Sequence, residues 1–197
     1  MSHKQFLQKL TNETKDISAV IPTACFTLNG SKINVYTNDV LRVPCDAIVC
    51  GRLTPINPLG VIFKEFWGAG LAWGYTSKCP MEIKRPIDEE VVIPIKFPEI
   101  TNAKYIGVVY PNNRSMREQL RKTVIALIDE LECKNISIIA PTYGEPNHLK
   151  CIPASDIVSA IIGAIANRCI QVNLVDEWDS SLYVNELTQQ GIIQTSK

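Results

Sequence analysis

Residues 38–50 read Asn38-Asp39-Val40-Leu41-Arg42-Val43-Pro44-Cys45-Asp46-Ala47-Ile48-Val49-Cys50, and the fold turns on them. After Asp46 the run is short and wholly apolar. Such a run suits a strand covered on both faces, as in a parallel sheet flanked by helices. Just upstream, Cys25-Phe26-Thr27-Leu28 and Lys32-Ile33-Asn34-Val35-Tyr36 flank Asn29-Gly30. Asn-Gly favours a tight hairpin turn, because both central residues need positive φ.

Working outward, residues 90–93, 105–109, 136–140 and 172–175 read as further buried strands. Helical spacing appears between them. Phe6, Leu7 and Leu10 predict a helix over 3–17, and 61–69 predict a short one ending at Gly70. Ser115 opens a stronger helix with Leu120, Val124, Leu127, Ile128 and Leu131 on one face, and Glu118 completes a capping box with Ser115. Pro153 fits the first turn of a helix running to about residue 168, and 182–187 predict a terminal helix. The alternation predicts an α/β protein, a three-layer α/β/α sandwich around a central mixed sheet with an N-terminal helix and hairpin added. Residues 1–18 read as a helical extension, 19–190 as the domain, and 191–197 as a flexible tail.

Composition narrows the function. The chain has 197 residues, 46% hydrophobic and 20% charged, as in an ordinary globular protein. Twenty basic residues balance twenty acidic ones. Phosphate-led polyanion binding needs a surplus of Lys and Arg, so net charge gives RNA no support. Arg114, Arg117, Arg121 and Lys122 still offer a local basic helix face. No apolar run reaches bilayer length, and 1–5 open no signal-peptide core, so no membrane partner is expected. Seven cysteines without a Cys-x-x-Cys pair, and two distant histidines, make a zinc site hard to build. Reduced thiols, several of them buried, point to a cytoplasmic location. Neither a metal nor a cofactor is expected.

In an open α/β sheet, ligands sit beyond the carboxyl ends of the strands. That rule selects Asp39-Val40, the loop 51–60, the loop 141–152 and residues 176–179, which would converge on one crevice.

The order of these pieces resembles the macro domain family, whose fold binds ADP-ribose. The likeness covers 32–188. Asn38-Asp39-Val40 is similar to the family's Gly-Asp-Ile, and Asp46-Ala47-Ile48-Val49 to its Asp-Ala-Ile-Val strand. Gly60-Val61 through Gly68-Ala69-Gly70 aligns with its Gly-Val to Ala-Ala-Gly segment. Glu90-Val91-Val92-Ile93, residues 105–111 and residues 137–140 match later strands. Trp178-Asp179 followed by Leu182-Tyr183 resembles the ending of viral-type macro domains, and the chain reads as a diverged member.

The resemblance implies roles. Asp39 would accept a hydrogen bond from the adenine amino group, which suits an acceptor-only carboxylate; as a turn aspartate it would instead cap nearby amides. Val40 would offer a backbone amide beside the adenine, or simply pack at a strand end. Gly60 and Val61 would form a phosphate loop at a helix N-terminus, or a plain helix entry; the family's run of glycines is reduced to one, after Pro58. Gly144 would face a phosphate and Tyr143 or His148 a ribose or phosphate, although Glu145 brings a negative charge close. Trp178 would stack on the purine, or pack as core. At Cys50-Gly51-Arg52-Leu53 the family has Asn-Ala-Ala-Asn, so Leu53 replaces the asparagine that holds the distal ribose in hydrolysing members. No general base is evident; Cys50 as nucleophile lacks a partner and reads better as a buried thiol. The expected function is binding of ADP-ribose or a related adenine nucleotide without efficient hydrolysis, with ADP-ribosylated protein as partner. The alternatives are a scaffold with a degenerate pocket that binds protein or RNA, and a hydrolase acting on ADP-ribosyl groups or ADP-ribose phosphate.

Overall fold

A computed structural model describes residues 20–51, 91–94, 102–109, 115–140, 142–143, 150–176 and 178–195. The helices expected over 3–17 and 61–69 lie outside the described residues.

Ten strands are described: β1 (Ala24–Leu28), β2 (Ser31–Thr37), β3 (Ala47–Gly51), β4 (Val91–Pro94), β5 (Tyr105–Val109), β6 (Asn135–Ile139), β7 (Thr142–Tyr143), β8 (Lys150–Cys151), β9 (Gln171–Asp176) and β10 (Ile193–Thr195). Eight form one sheet in the order β10-β1-β2-β9-β6-β3-β5-β4, and β7 pairs with β8 in a separate ribbon. The strands β2, β9, β6, β3 and β5 run parallel. Antiparallel pairs flank them: β4 on β5, β1 on β2 and β10 on β1. The expected hairpin is present and built into the sheet. Leu28 pairs with Ser31 across a two-residue turn in which Asn29 and Gly30 have φ of 48° and 86°.

Three helices are described: α1 (Met116–Asp129), α2 (Ala154–Ile165) and α3 (Ser181–Gln189). Leu120, Val124 and Leu127 of α1 join Ile157, Val158 and Ile161 of α2 over Ile136, Ile138, Val172 and Leu174 in one buried cluster. Burying a side chain of this type contributes ~1.5–3 kcal/mol. Alternate residues on β2, β9 and β6 point to the opposite face and include polar groups. There Asn173 Nδ2 donates to Asn135 Oδ1 (2.7 Å) and Ser137 Oγ (3.1 Å), while its Oδ1 accepts from Gln171 Nε2 (3.0 Å) and Asn34 Nδ2 (3.4 Å). Buried amides are tolerated when they satisfy one another in this way.

Asp46 opens the strand that decides the fold, and it acts at the amino end of the sheet. Its Oδ2 accepts from the backbone N–H of Lys134 and of Asn135, both at 2.9 Å. The carboxylate thereby ties β3 to β6 at the end remote from the loops of interest.

Three local expectations are corrected. Ser115 caps α1 with its backbone carbonyl, not its hydroxyl, and no capping box forms. Glu118 is engaged by Arg121, whose Nε and Nη2 donate to it at 3.0 and 2.8 Å. The same pairing removes one free cation from the basic face of α1. Helix α2 stops at Ile165, short of 168, because Asn167 takes φ of 62° and Arg168 turns to Asp129 through a two-pronged ion pair at 3.1 and 2.7 Å. Third, residues 193–195 form β10, an edge strand on β1, where a tail is expected. Gly191 (φ 71°) closes α3, with Gly191 N–H on the Thr188 carbonyl (3.0 Å) and Ile192 N–H on the Leu187 carbonyl (3.1 Å). That helix ending reverses the chain onto β1.

Candidate functional site

The parallel register brings the carboxyl ends of the central strands level. Thr37 lies opposite Asp176, Val175 opposite Ile139, Ile138 opposite Val49, and Gly51 opposite Val109. The segments that leave β2, β9, β6 and β3 therefore start from one rim, as the crevice rule requires.

At the end of β2 the chain bends through a 3-10 turn, Val40–Arg42. Asp39 is its cap. One carboxylate oxygen, Oδ1, accepts from Leu41 N–H at 2.9 Å. The other, Oδ2, is buried and has no hydrogen-bond partner among the described residues. Burial raises the Asp39 pKa above the ordinary carboxylate value; the Leu41 amide and the Arg42 charge offset this only in part. The turn reading of Asp39 holds for one oxygen, and the other is left over. An unpaired buried carboxylate oxygen is costly, and that cost is removed by any ligand that supplies an N–H or O–H there. Val40 begins the turn with its side chain buried.

The next loop leaves β9. Asp176 Oδ1 accepts from the N–H of Trp178 and of Asp179, both at 2.8 Å, which folds the chain back on itself. Asp179 Oδ1 accepts from Ser181 N–H at 2.9 Å at the start of α3. The Trp178 side chain is 83% exposed, so its core alternative is removed. The core position under α3 belongs to Tyr183, which is buried and whose hydroxyl pKa is raised by burial, then by Asp176 and Cys151. The two loops are joined directly: Asn38 N–H donates to the Asp176 carbonyl at 3.0 Å.

Tyr143 lies on β7, in the ribbon that follows β6 at this rim. Gly60, Val61 and Gly144, with Arg52, Leu53, Pro58, Glu145 and His148, lie outside the described residues. The structure thus brings together Asp39, Val40 and Trp178 from two neighbouring strands. It also gives Asn38 and Asp176, quoted above only as parts of their segments, bonds of their own, and adds Ser180, which the sequence reading passed over. The pattern Asp176-x-Trp178-Asp179 carried their signal, since an aspartate two residues before a turn commonly caps the amides ahead of it.

Cys50 is fully enclosed at the end of β3, and burial pushes its thiol up to about 12. Cys45 is likewise pushed up to about 11, mainly by burial. Neither offers a thiolate at neutral pH. Iodoacetamide applied to the folded protein at pH 8 is expected to label Cys151 and Cys169, which are exposed, and to spare Cys45 and Cys50. Labelling of Cys50 at the rate of Cys169, read by peptide mass, would contradict its burial. Among the described residues no three His, Cys, Asp or Glu side chains cluster as metal ligands, and no helix is long and apolar enough to cross a membrane.

No family model and no curated protein sequence matches the chain. Solved structures do. The chain is similar to an Oceanobacillus iheyensis macrodomain with MES bound (TM-score 0.60, 14% identity, covering 84% of this chain and 95% of that one). It is similar to the macrodomain from that organism with ADP (TM-score 0.58, 17% identity, 84% and 95%). It is also similar to the Trypanosoma brucei macrodomain in complex with ADP-ribose (TM-score 0.56, 13% identity, 97% and 91%). The fold is a macrodomain fold. At these identities the likeness speaks for the fold, and fold alone does not assign function. What this macrodomain fold presents at its rim is a buried, unpartnered carboxylate oxygen on one loop and an exposed indole on the adjoining one.

Proposed function

We propose that the protein binds ADP-ribose or a related adenine nucleotide at the carboxyl rim of the sheet, without efficient hydrolysis. The observation that carries this reading is the unpartnered, buried Asp39 Oδ2 on a loop bonded to the one that displays Trp178. The adenine amino group fits the first, and the purine face fits the second. Neighbouring folds solved with ADP and with ADP-ribose support the same ligand class. In this reading Val40 lies beside the adenine, Gly60, Val61 and Gly144 line the diphosphate path, and Tyr143 meets a ribose or a phosphate. Leu53 supplies no polar group where hydrolysing macro domains have asparagine, which disfavours turnover. The Trp178-Asp179 and Leu182-Tyr183 ending ties the chain to a diverged, viral-type branch, and its balanced charge and reduced cysteines suit a cytoplasmic reader of ADP-ribosylated protein.

Calorimetric titration with ADP-ribose tests the proposal. A saturable heat is expected, and Trp178→Ala is expected to weaken it about five- to a hundredfold, since stacking a base on an aromatic face is worth ~1–3 kcal/mol. No heat at millimolar ligand would end the binding reading. The scaffold reading would then stand, favoured by Leu182, which is also exposed and follows Trp178 closely in the chain, in the first turn of α3.

A further inference from the structure

The binding reading needs two loops held in fixed relation, and one pair of side-chain hydroxyls links the segments that carry them. Ser180 is 1% exposed, although it lies only two residues beyond the exposed Trp178. Its Oγ hydrogen-bonds Oγ1 of Thr37, the last residue of β2, at 2.7 Å. As N-cap of α3, Ser180 makes no side-chain bond to its own helix, so the hydroxyl is committed to the other loop. Thr37 is secured in turn from the residue before β1: its N–H donates to Thr23 Oγ1 at 3.3 Å, and Thr23 Oγ1 lies 3.5 Å from Thr37 Oγ1. The backbone bond from Asn38 to Asp176 runs beside this hydroxyl pair.

We propose that Ser180 and Thr37 form a hydroxyl clamp that holds the Trp178 turn against the Asn38-Asp39 turn. They are positioning residues for the ligand site. The inference rests on the proposed binding of an adenine nucleotide, and it adds where the orientation of the indole comes from. An indole on an untethered turn would have to be ordered when ligand binds, and that ordering subtracts from affinity. With Asp176 folding the turn and Ser180 anchoring it, the face is set beforehand.

The test is a double-variant cycle read by calorimetry with ADP-ribose. Ser180→Ala and Thr37→Val are each expected to weaken binding about fivefold, the size of one lost hydrogen bond. Thr37→Ser keeps the hydroxyl and should bind like the parent. In a Trp178→Ala background neither Ser180→Ala nor Thr37→Val should change affinity further, because the clamp acts through the indole. Equal losses with and without the indole, or no loss at all, would overturn the clamp. Amide hydrogen exchange on the unliganded protein gives a ligand-free arm. Ser180→Ala should speed exchange at Asn38 and Trp178 while leaving α1 unchanged, and unaltered rates at Asn38 and Trp178 would overturn the clamp. A parent protein that binds no ADP-ribose overturns the binding reading, and the exchange arm then decides alone whether the clamp exists.

Discussion

Asp39→Ala will bind ADP-ribose roughly ten- to a hundredfold more weakly than the parent, because a hydrogen bond to a charged acceptor is worth ~1.5–3 kcal/mol. Asp39→Asn is the sharper test. It keeps a cap on the Leu41 N–H, since asparagine serves a helix N-terminus as well as aspartate does. With its amide oxygen so engaged, the NH2 group takes the place of the unpartnered Oδ2. A donor then faces the adenine amino group, also a donor. Asp39→Asn should therefore lose adenine binding as Asp39→Ala does, and should gain relative preference for the inosine analogue, whose C6 carbonyl oxygen accepts. Parent-like affinity of Asp39→Asn for ADP-ribose, measured by calorimetry, would remove Asp39 from the site.

The same residue has the opposite effect on stability. Burial raises its folded-state pKa above the unfolded value of 3.8. Between those two values the folded protein holds the proton more tightly, so stability falls as pH rises through that window. At neutral pH the ionised carboxylate costs stability in full. Asp39→Asn should accordingly have the higher Tm at pH 7, because a buried neutral amide costs less than a buried charge. Its advantage should fade once the pH drops below the ordinary carboxylate value. A lower Tm for Asp39→Asn at pH 7 would show that Oδ2 is paired in solution. ADP-ribose should also bind more weakly as the pH falls through the raised pKa, where the acceptor becomes protonated.

The second large effect lies in the core. Gly107, in the middle of β5, faces α1 at close range. A β-carbon there would stand 2.5 Å from Thr123 Cγ2 and 3.4 Å from both Leu127 Cδ1 and Val49 Cγ2. Thr123 is buried and β-branched, so it has little room to turn away. Gly107→Ala should therefore destabilise the protein by ~1–3 kcal/mol, the usual range for overpacking a filled core. Thr123→Ser removes the methyl that is struck. The pair Gly107→Ala with Thr123→Ser should recover most of the loss in a urea titration. If the single variant unfolds at the parent's urea concentration, or if the serine recovers nothing, the close approach of β5 and α1 is not what constrains this position.

Much of the architecture follows from short-range pattern. Asn29-Gly30 is confined to its turn by the φ values that turn demands, and the apolar runs around Ile48, Ile106, Ile138 and Leu174 can be buried on both faces only inside a sheet. Asp39 and Trp178 follow parallel strands, and the crevice rule makes their loops the candidate site. Competition and long-range pairing were not legible. Glu118 has two available partners, the Ser115 backbone and Arg121, and only the packed helix shows that the guanidinium prevails. Gly191 reads as a loosening of the chain until α3 and β1 are both in place. It then proves to be the helix ending that sends 193–195 back to the sheet.

Local sequence by itself determined which segments are strands, where the hairpin turns and which loops end at the rim, since those follow from side-chain periodicity and backbone dihedral preference. Tertiary structure alone decided that Asp39 keeps one oxygen unpartnered, that Trp178 faces solvent while Tyr183 fills the core, and that Ser180 reaches Thr37 across 143 residues of chain. Each of these is a matter of which group is left over after all the others have paired. That remainder is settled by the folded arrangement as a whole, and no single stretch of residues contains it.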